Sequence, residues 1–276
     1  MAPNFTPIVV DNASTDGTRG TISNDTNRGF AAAVNQGVMA TDAKFVLLLN
    51  PDVELLTSVD ALIDATEHYG LAAGKLVDVT GRAQAGFSVR RFPTPSALIL
   101  ELFGINRLWP ANPVNRRYRY LDRSLDEPAC IEQPAGAFVM FRRDVWEKLG
   151  GFDESFYPIW FEDVDFCRRA VDAGYEIQYI PQVMARHRGA HSIRALGEGC
   201  RAWHWCVSLL RYASKHFSPR AYRGVCAAVV LSSFPRMAAG MIRERSLEPI
   251  FVYFKIVRYA GLCLMSNGRG AVSKNS

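Results

Sequence analysis

Short runs of consecutive apolar residues alternate with helically spaced ones through the first two thirds of the chain, and this alternation narrows the fold more than any other feature. A five-residue apolar run suits a strand covered on both faces and is too short for a buried helix. Phe45 to Leu49 is such a run, closed by Asn50-Pro51-Asp52. Ile8-Val9-Val10, ending at Asp11, reads as another buried strand. Leu71 to Val77, Ala137 to Phe141, and Glu176 to Ile180 before Pro181 read as three more. Helical spacing falls between them: Thr26 to Gly37, the set Leu55, Val59, Leu62, Ile63 and Thr66, Asp144 to Leu149 before Gly150-Gly151, and Glu162 or Asp163 to Gly174. Strands alternating with helices predict an α/β fold on a Rossmann-like, mostly parallel sheet.

Residues 80–130 are less regular and read as loops, Arg90 to Pro95 and Arg116 to Arg123, around one short helix near Ala97 to Phe103. From Glu198, the residues Trp203, Cys206, Val207 and Leu210 follow an amphipathic helical stripe. Charge divides the chain at about the same place. Residues 1–185 carry 17 Lys and Arg against 24 Asp and Glu, and residues 186–276 carry 15 against 3. The expected organisation is therefore a nucleotide-sized α/β domain over residues 1–195 and a basic helical appendage over 196–276. The tail's aromatic and aliphatic content, without any DNA- or RNA-recognition motif, points to an anionic membrane surface and not to nucleic acid.

Six cysteines without a C-x-x-C pair indicate reduced thiols, which fits the cytoplasm and gives no zinc or disulfide framework. The first residues show no basic segment followed by an apolar one, so no signal peptide is expected, and the triplets Asn4-Phe5-Thr6 and Asn12-Ala13-Ser14 read as chance. The longest apolar candidate, around Val225 to Phe234, falls short of the ~18 residues of a spanning helix. The expected placement is peripheral, on the inner face of the membrane.

Three acidic clusters stand where strands or loops end, the position at which open α/β sheets bind ligands. Asp11-Asn12-Ala13-Ser14-Thr15-Asp16-Gly17 supplies hydrogen-bonding groups for a base and ribose, and equally the composition of an ordinary turn. Asp52 in Asn50-Pro51-Asp52 offers an oxygen ligand to a hard cation such as Mg2+ or Mn2+, or simply closes a strand-to-helix turn. Trp160-Phe161-Glu162-Asp163-Val164-Asp165 opens a helix, whose N-terminus favours ionised carboxylates. An ionised Asp beside a hydroxyl is a general base, and the same residue is also a common helix cap. Arg168 and Arg169 stand one turn on as pairing partners for these acids. His187 follows the last strand as a metal ligand, a phosphate contact or a structural histidine.

Taken in order, VVDNASTDGT, NRGFAAAVNQG, LLLNPDVEL, RRFPTP, GAFVMFRRDVWEKLGGFDESF, WFEDVDFCRRAVDAGYEIQYIP and HRGAHS resemble the family 2 glycosyltransferases, in particular their rhamnosyltransferase-like branch. The resemblance spans Ile8 to about Ser192. It implies an A-type glycosyltransferase fold and inversion at the anomeric carbon. It assigns Asp11, with Asn12, to the nucleotide, Asn27, Gly29 and Asn35 to the donor-binding segment, and Asn50 and Asp52 to a D-x-D-like motif with Asp52 on the metal. Gly136 and Ala137 then lie beside the donor sugar, Asp163 is the catalytic base supported by Glu162, and His187 joins the metal and diphosphate.

The implied reaction moves a sugar, rhamnose from dTDP-rhamnose by the overall pattern, to a lipid-linked or polysaccharide acceptor in cell-envelope glycan synthesis. Family members open with a strand and helix before the VVDNAS segment, whereas seven residues precede Ile8 here. A late-called start or a weakened donor site is expected, and the competing reading is a degenerate relative that binds nucleotide or membrane without efficient catalysis. Strings for a nucleotidyltransferase (G-x-G-T-R) or a dinucleotide dehydrogenase (G-x-G-x-x-G) do not occur.

Overall fold

The computed structural model describes residues 5–189 and 197–266. Asn4 and residues 190–192 of the HRGAHS segment lie outside them. In chain order the elements are β1 (Val10–Asp11), β2 (Ile22–Ser23), α1 (Phe30–Met39), β3 (Phe45–Leu49), β4 (Val53–Leu55), α2 (Asp60–Tyr69), β5 (Gly70–Val77) and β6 (Val89–Arg90). Three short helices follow, α3 (Pro95–Leu102), α4 (Ile105–Leu108) and α5 (Pro113–Tyr118). Then come β7 (Ala129–Ile131), β8 (Gln133–Pro134), β9 (Phe138–Arg142), α6 (Arg143–Leu149), α7 (Glu162–Asp172) and β10 (Glu176–His187). The chain closes with α8 (Glu198–His216), α9 (Pro219–Glu244) and α10 (Glu248–Met265). Residues 80–130 thus hold more regular structure than expected, because strands of two or three residues leave no periodicity to read.

Contacts divide the described chain into two units: residues up to Phe92 together with those from Arg117 to 189, and Pro93–Arg116 with residues from 197 onward. In the first unit a six-stranded sheet runs β3-β9-β5-β10-β4, with β7 also pairing β10. The expected mostly parallel sheet is corrected to a mixed one. β5 and β10 pair in parallel, while β9 runs antiparallel between β3 and β5, and β4 and β7 run antiparallel to β10. Side-chain alternation builds a core on each face. Leu71, Phe141, Phe166, Ile177 and Tyr179 fill one, and Leu62, Ala72, Leu76, Phe138 and Met140 the other. Burial of each large side chain is worth roughly 1.5–3 kcal/mol.

Two local expectations also change. Val10–Asp11 pairs in parallel only with Ile22–Ser23, and Val9 is 48% exposed, so the first strand is not buried: a two-stranded ribbon packed on α1 covers little of it. Pro181 does not end β10, because the register with β5 shifts between Ile180 and Met184 and absorbs the residue that lacks an N–H.

In the second unit, α3 is capped by Thr94, whose Oγ1 accepts from the Ala97 N–H, with Pro95 in its first turn. α9 packs against α3, α8 and α10. The apolar run stops on paper at Ser232-Ser233, yet the helix spans 26 residues. Both serine hydroxyls donate to Val229 O, which hides their polarity inside the helix. By length and composition α9 is long and apolar enough to cross a membrane, with 39% of that stretch buried, which corrects the expectation that no segment qualifies. Leu231, Phe234 and Ile242 on α9, and Phe251, Phe254 and Met265 on α10, remain exposed.

Candidate active site

The loop after β1 and the loop before α1 are tied by one asparagine. Asn12 Nδ2 donates to Asn27 Oδ1 at 2.9 Å and to Gly29 O at 3.2 Å, and Asn12 Oδ1 accepts from Arg28 N and Asn24 Nδ2. Asp11 is buried and its Oδ1 accepts from Ser14 N at 3.0 Å. Gly29 adopts φ 85°, and a Cβ there would stand 2.9 Å from the Tyr157 ring. Tyr157 OH donates to Asn27 O, and Phe30 N to Pro158 O, so this cluster abuts the loop leading to α7. Asn35 stands apart. Its side chain is buried, donating to Phe152 O and Glu154 Oε1 and accepting from Trp146 Nε1 and Phe152 N.

Pairing of β4 with β10 brings the second cluster together. His187 is the register partner of Val53, which sets its Nε2 3.4 Å from Asp52 Oδ2. Gln84 fixes the ring: its Nε2 donates to His187 O, so its Oε1 faces His187 Nδ1 at 3.0 Å. That oxygen requires a proton on Nδ1. Nε2 then faces the Asp52 carboxylate, so that a nitrogen and an oxygen donor stand side by side for a cation. Phe87 stacks on His187 with ring centroids 5.0 Å apart. Among the described residues no group of three or more His, Cys, Asp or Glu side chains is gathered to hold a metal. A pair of ligands, with waters and substrate phosphates completing the shell, is how Mg2+ is commonly held.

The third cluster is built on strain and on a glycine. Trp160 and Phe161 adopt φ 83° and φ 70°, the left-handed region that side chains disfavour, immediately before α7. Asp163 Oδ2 accepts from Gly136 N at 2.9 Å and its Oδ1 from Val164 N at 2.8 Å. The arginines one turn on pair elsewhere. Arg169 binds the fully buried Asp165 and the carbonyls of Leu149 and Gly151, and Arg168 binds Asp172. Among the described residues, the hydrogen bonds that orient the Asp163 carboxylate come from backbone N–H groups, and a substrate hydroxyl can use its remaining lone pairs. Glu162 is buried, and burial, with Asp163's charge beside it, raises its carboxyl well above the ordinary glutamate value.

The second and third clusters are joined through β9's leading loop: Asn50 N donates to Ala137 O at 3.1 Å, next to the glycine that holds Asp163. Residue types alone did not reveal Gln84, Phe87 or Gln133; Gln133 Oε1, like Arg90 Nε and Glu162 Oε2, is buried without a hydrogen-bond partner among the described residues. Arg90 was visible as the first residue of RRFPTP.

A family model described as "Glycosyltransferase like family 2" matches residues 106–205. The N-acetylglucosaminyl-diphospho-decaprenol L-rhamnosyltransferase of Mycobacterium tuberculosis (strain CDC 1551 / Oshkosh) is 31% identical over 210 residues, 67% of this chain and 67% of that protein. The chain belongs to the family 2 glycosyltransferases. Rhamnosyltransferase WbbL of Escherichia coli K12 is 26% identical to this glycosyltransferase over 68% of its length and 69% of WbbL. A solved structure, GalNAc-T7 with UDP, GalNAc and Mn2+, matches at 14% identity with a TM-score of 0.46, covering 70% of this chain and 35% of that one. The glycosyltransferase is rhamnosyltransferase-like, with an α/β A-type fold and a helical C-terminal region.

Proposed function

We propose that the glycosyltransferase moves a sugar, rhamnose from dTDP-rhamnose, to a lipid-linked or polysaccharide acceptor by a single inverting displacement at the inner face of the membrane. The observation that carries this reading is the link from Asn50 through Ala137 and Gly136 to Asp163, which joins the candidate metal-side turn to a carboxylate held by backbone N–H groups. Asp163 accepts the proton of the attacking acceptor hydroxyl as the new bond forms. Asp52 and His187 would hold a divalent cation, Mg2+ or Mn2+, which when bound would neutralise the charge gathering on the leaving diphosphate. Asp11, Asn12, Asn27 and Gly29 shape the nucleotide end, and Asn35 acts on it indirectly by fixing α1 to the Phe152 loop. The names of both relatives support rhamnose, and that of the Mycobacterium tuberculosis protein supports a diphospho-lipid acceptor.

In the second unit, the exposed Leu231, Phe234 and Ile242 are flanked along α9 by Arg220 and Arg223 at one end and Arg243 and Arg245 at the other. Apolar burial flanked by cations suits an anionic membrane surface.

The test incubates the protein with dTDP-rhamnose, an N-acetylglucosaminyl-diphospho-lipid and Mg2+ or Mn2+, with product read by mass spectrometry. Transfer that drops at least ~10²-fold in Asp163→Asn supports the reading. Undiminished transfer in that variant removes Asp163 as the base.

A further inference from the structure

Among the described residues of the first unit, four buried polar atoms have no hydrogen-bond partner: Thr66 Oγ1 on α2, Arg90 Nε on β6, Gln133 Oε1 on β8 and Glu162 Oε2 at the start of α7. The last three stand on elements that pack on one another. Arg90 and Gln133 are register partners in the antiparallel β6–β8 ladder, so their side chains leave the same face, and α7 packs on β8. Gln133 and Glu162 are each only 3% exposed.

This ribbon is also anchored to both halves of the candidate active site. At one end the Arg90 guanidinium lies 5.8 Å from the centre of the Phe87 ring, which stacks on His187 beside Asp52. At the other, β8 leads directly into Gly136, which holds Asp163. Ala135 N donates to Ser88 O and fixes the two strands where they leave the ribbon.

We propose that this face is a subsite for the hydroxyls of a pyranosyl ring, a proposal that rests on the glycosyltransferase reading above. The donor set selects the ligand class. Arg90 Nε–H only donates, Gln133 Oε1 only accepts, and the Glu162 carboxyl, whose protonated form burial favours, does both when it carries its proton. Phosphate oxygens cannot donate to Gln133 Oε1. Vicinal sugar hydroxyls donate and accept on neighbouring atoms, and so satisfy all three groups. Leaving such groups unpaired in the free protein and pairing them with substrate is how a site discriminates by hydroxyl pattern. The ring is either the donor sugar or the acceptor sugar, and the two sources separate experimentally.

Gln133→Leu removes the unpaired acceptor at similar volume, Gln133→Glu retains an acceptor oxygen, and Arg90→Gln removes the guanidinium. Calorimetric affinities for dTDP and dTDP-rhamnose, the KM for an N-acetylglucosaminyl-diphospho-lipid, and thermal midpoints are measured for each. For Gln133→Leu the expected result is an equal or higher midpoint and dTDP affinity within about twofold of the parent. One sugar-dependent quantity worsens about tenfold in both Gln133→Leu and Arg90→Gln, with Gln133→Glu closer to the parent. A loss in dTDP-rhamnose affinity assigns the ring to the donor, and a rise in acceptor KM alone assigns it to the acceptor. Variants that match the parent in both quantities while the parent transfers sugar overturn the subsite alone. A lowered midpoint with equal losses for dTDP and dTDP-rhamnose makes the ribbon a scaffold and also overturns it. A parent protein that neither transfers nor distinguishes dTDP-rhamnose from dTDP overturns the glycosyltransferase reading with it.

Discussion

Gly136 N donates to Asp163 Oδ2 at 2.9 Å, and a Cβ placed on Gly136 would stand 2.9 Å from Asp163 Cβ. The loop before β9 and the first turn of α7 therefore meet with no room for a side chain between them. Gly136→Ala should push the carboxylate out of line by adding one methyl group, without adding a polar group beside the core residues Ala135 and Ala137. Displacement of a reacting group by about an ångström costs up to ~10²-fold in rate. Steady-state transfer should fall by ~10- to 100-fold with a nearly unchanged thermal midpoint, and full activity would detach Gly136 from the site.

Asp52→Ala and His187→Ala should each weaken nucleoside-diphosphate binding in the presence of Mg2+ or Mn2+ more than in a chelator. Asp52 and His187 lie 3.4 Å apart, and if both serve the one cation proposed above, the double variant should lose little beyond the worse single one. Titration calorimetry of the four proteins checks this, and additive losses would mean separate roles. Gln84→Ala should reproduce part of the His187 effect, because it frees the imidazole to turn.

Glu162 sets a pH dependence of stability. Its raised folded-state pKa means that the native protein keeps a proton which the unfolded chain releases above the ordinary glutamate value of 4.5. Native stability therefore falls as pH rises from there toward the raised value. Glu162→Gln removes this penalty without changing shape. The midpoint of the variant relative to the parent should be higher at pH 8 than at pH 5, by about 2–4 °C. Thermal melts at the two pH values decide it, and a constant difference would place the buried carboxyl's proton elsewhere.

Membrane attachment should depend on the exposed stripe of the second unit. Ile242, Phe251 and Phe254 are 80%, 75% and 69% exposed, so replacing them with serine costs little packing. Co-sedimentation with anionic vesicles should fall in the triple variant and, for the parent, with added salt, because each surface cation contributes about 1 kcal/mol at low ionic strength. Equal binding to neutral and anionic vesicles at low salt would contradict the electrostatic part.

Much of the scaffold was legible because its signals are local. Phe45–Leu49 appears as a strand with the bounds its apolar run gives, and α6 stops at Gly150 in the left-handed conformation. α7 starts at Glu162, as its cluster of acids in a first turn indicates. The ends of α1 were less clear: residues 26–29 were read into the helix, but Asn27 and Gly29 serve the loop's hydrogen bonds and the helix begins at Phe30. Hydropathy could not show this, because a polar loop before a helix has no period.

What the sequence determined by itself is the longer strands β3, β5, β9 and the first half of β10, the helices α1, α2, α3, α6, α7 and α8, and the family's acidic positions, since periodicity, glycine and proline act within a few residues. The tertiary structure alone decided that β9 lies antiparallel between β3 and β5, that β10 passes Pro181 and delivers His187 to Asp52, and that Arg90 and Gln133 are register partners on a ribbon against which α7 packs. Strand neighbours and buried polar groups are chosen by packing between segments far apart in the chain, and that competition leaves no mark on any one of them.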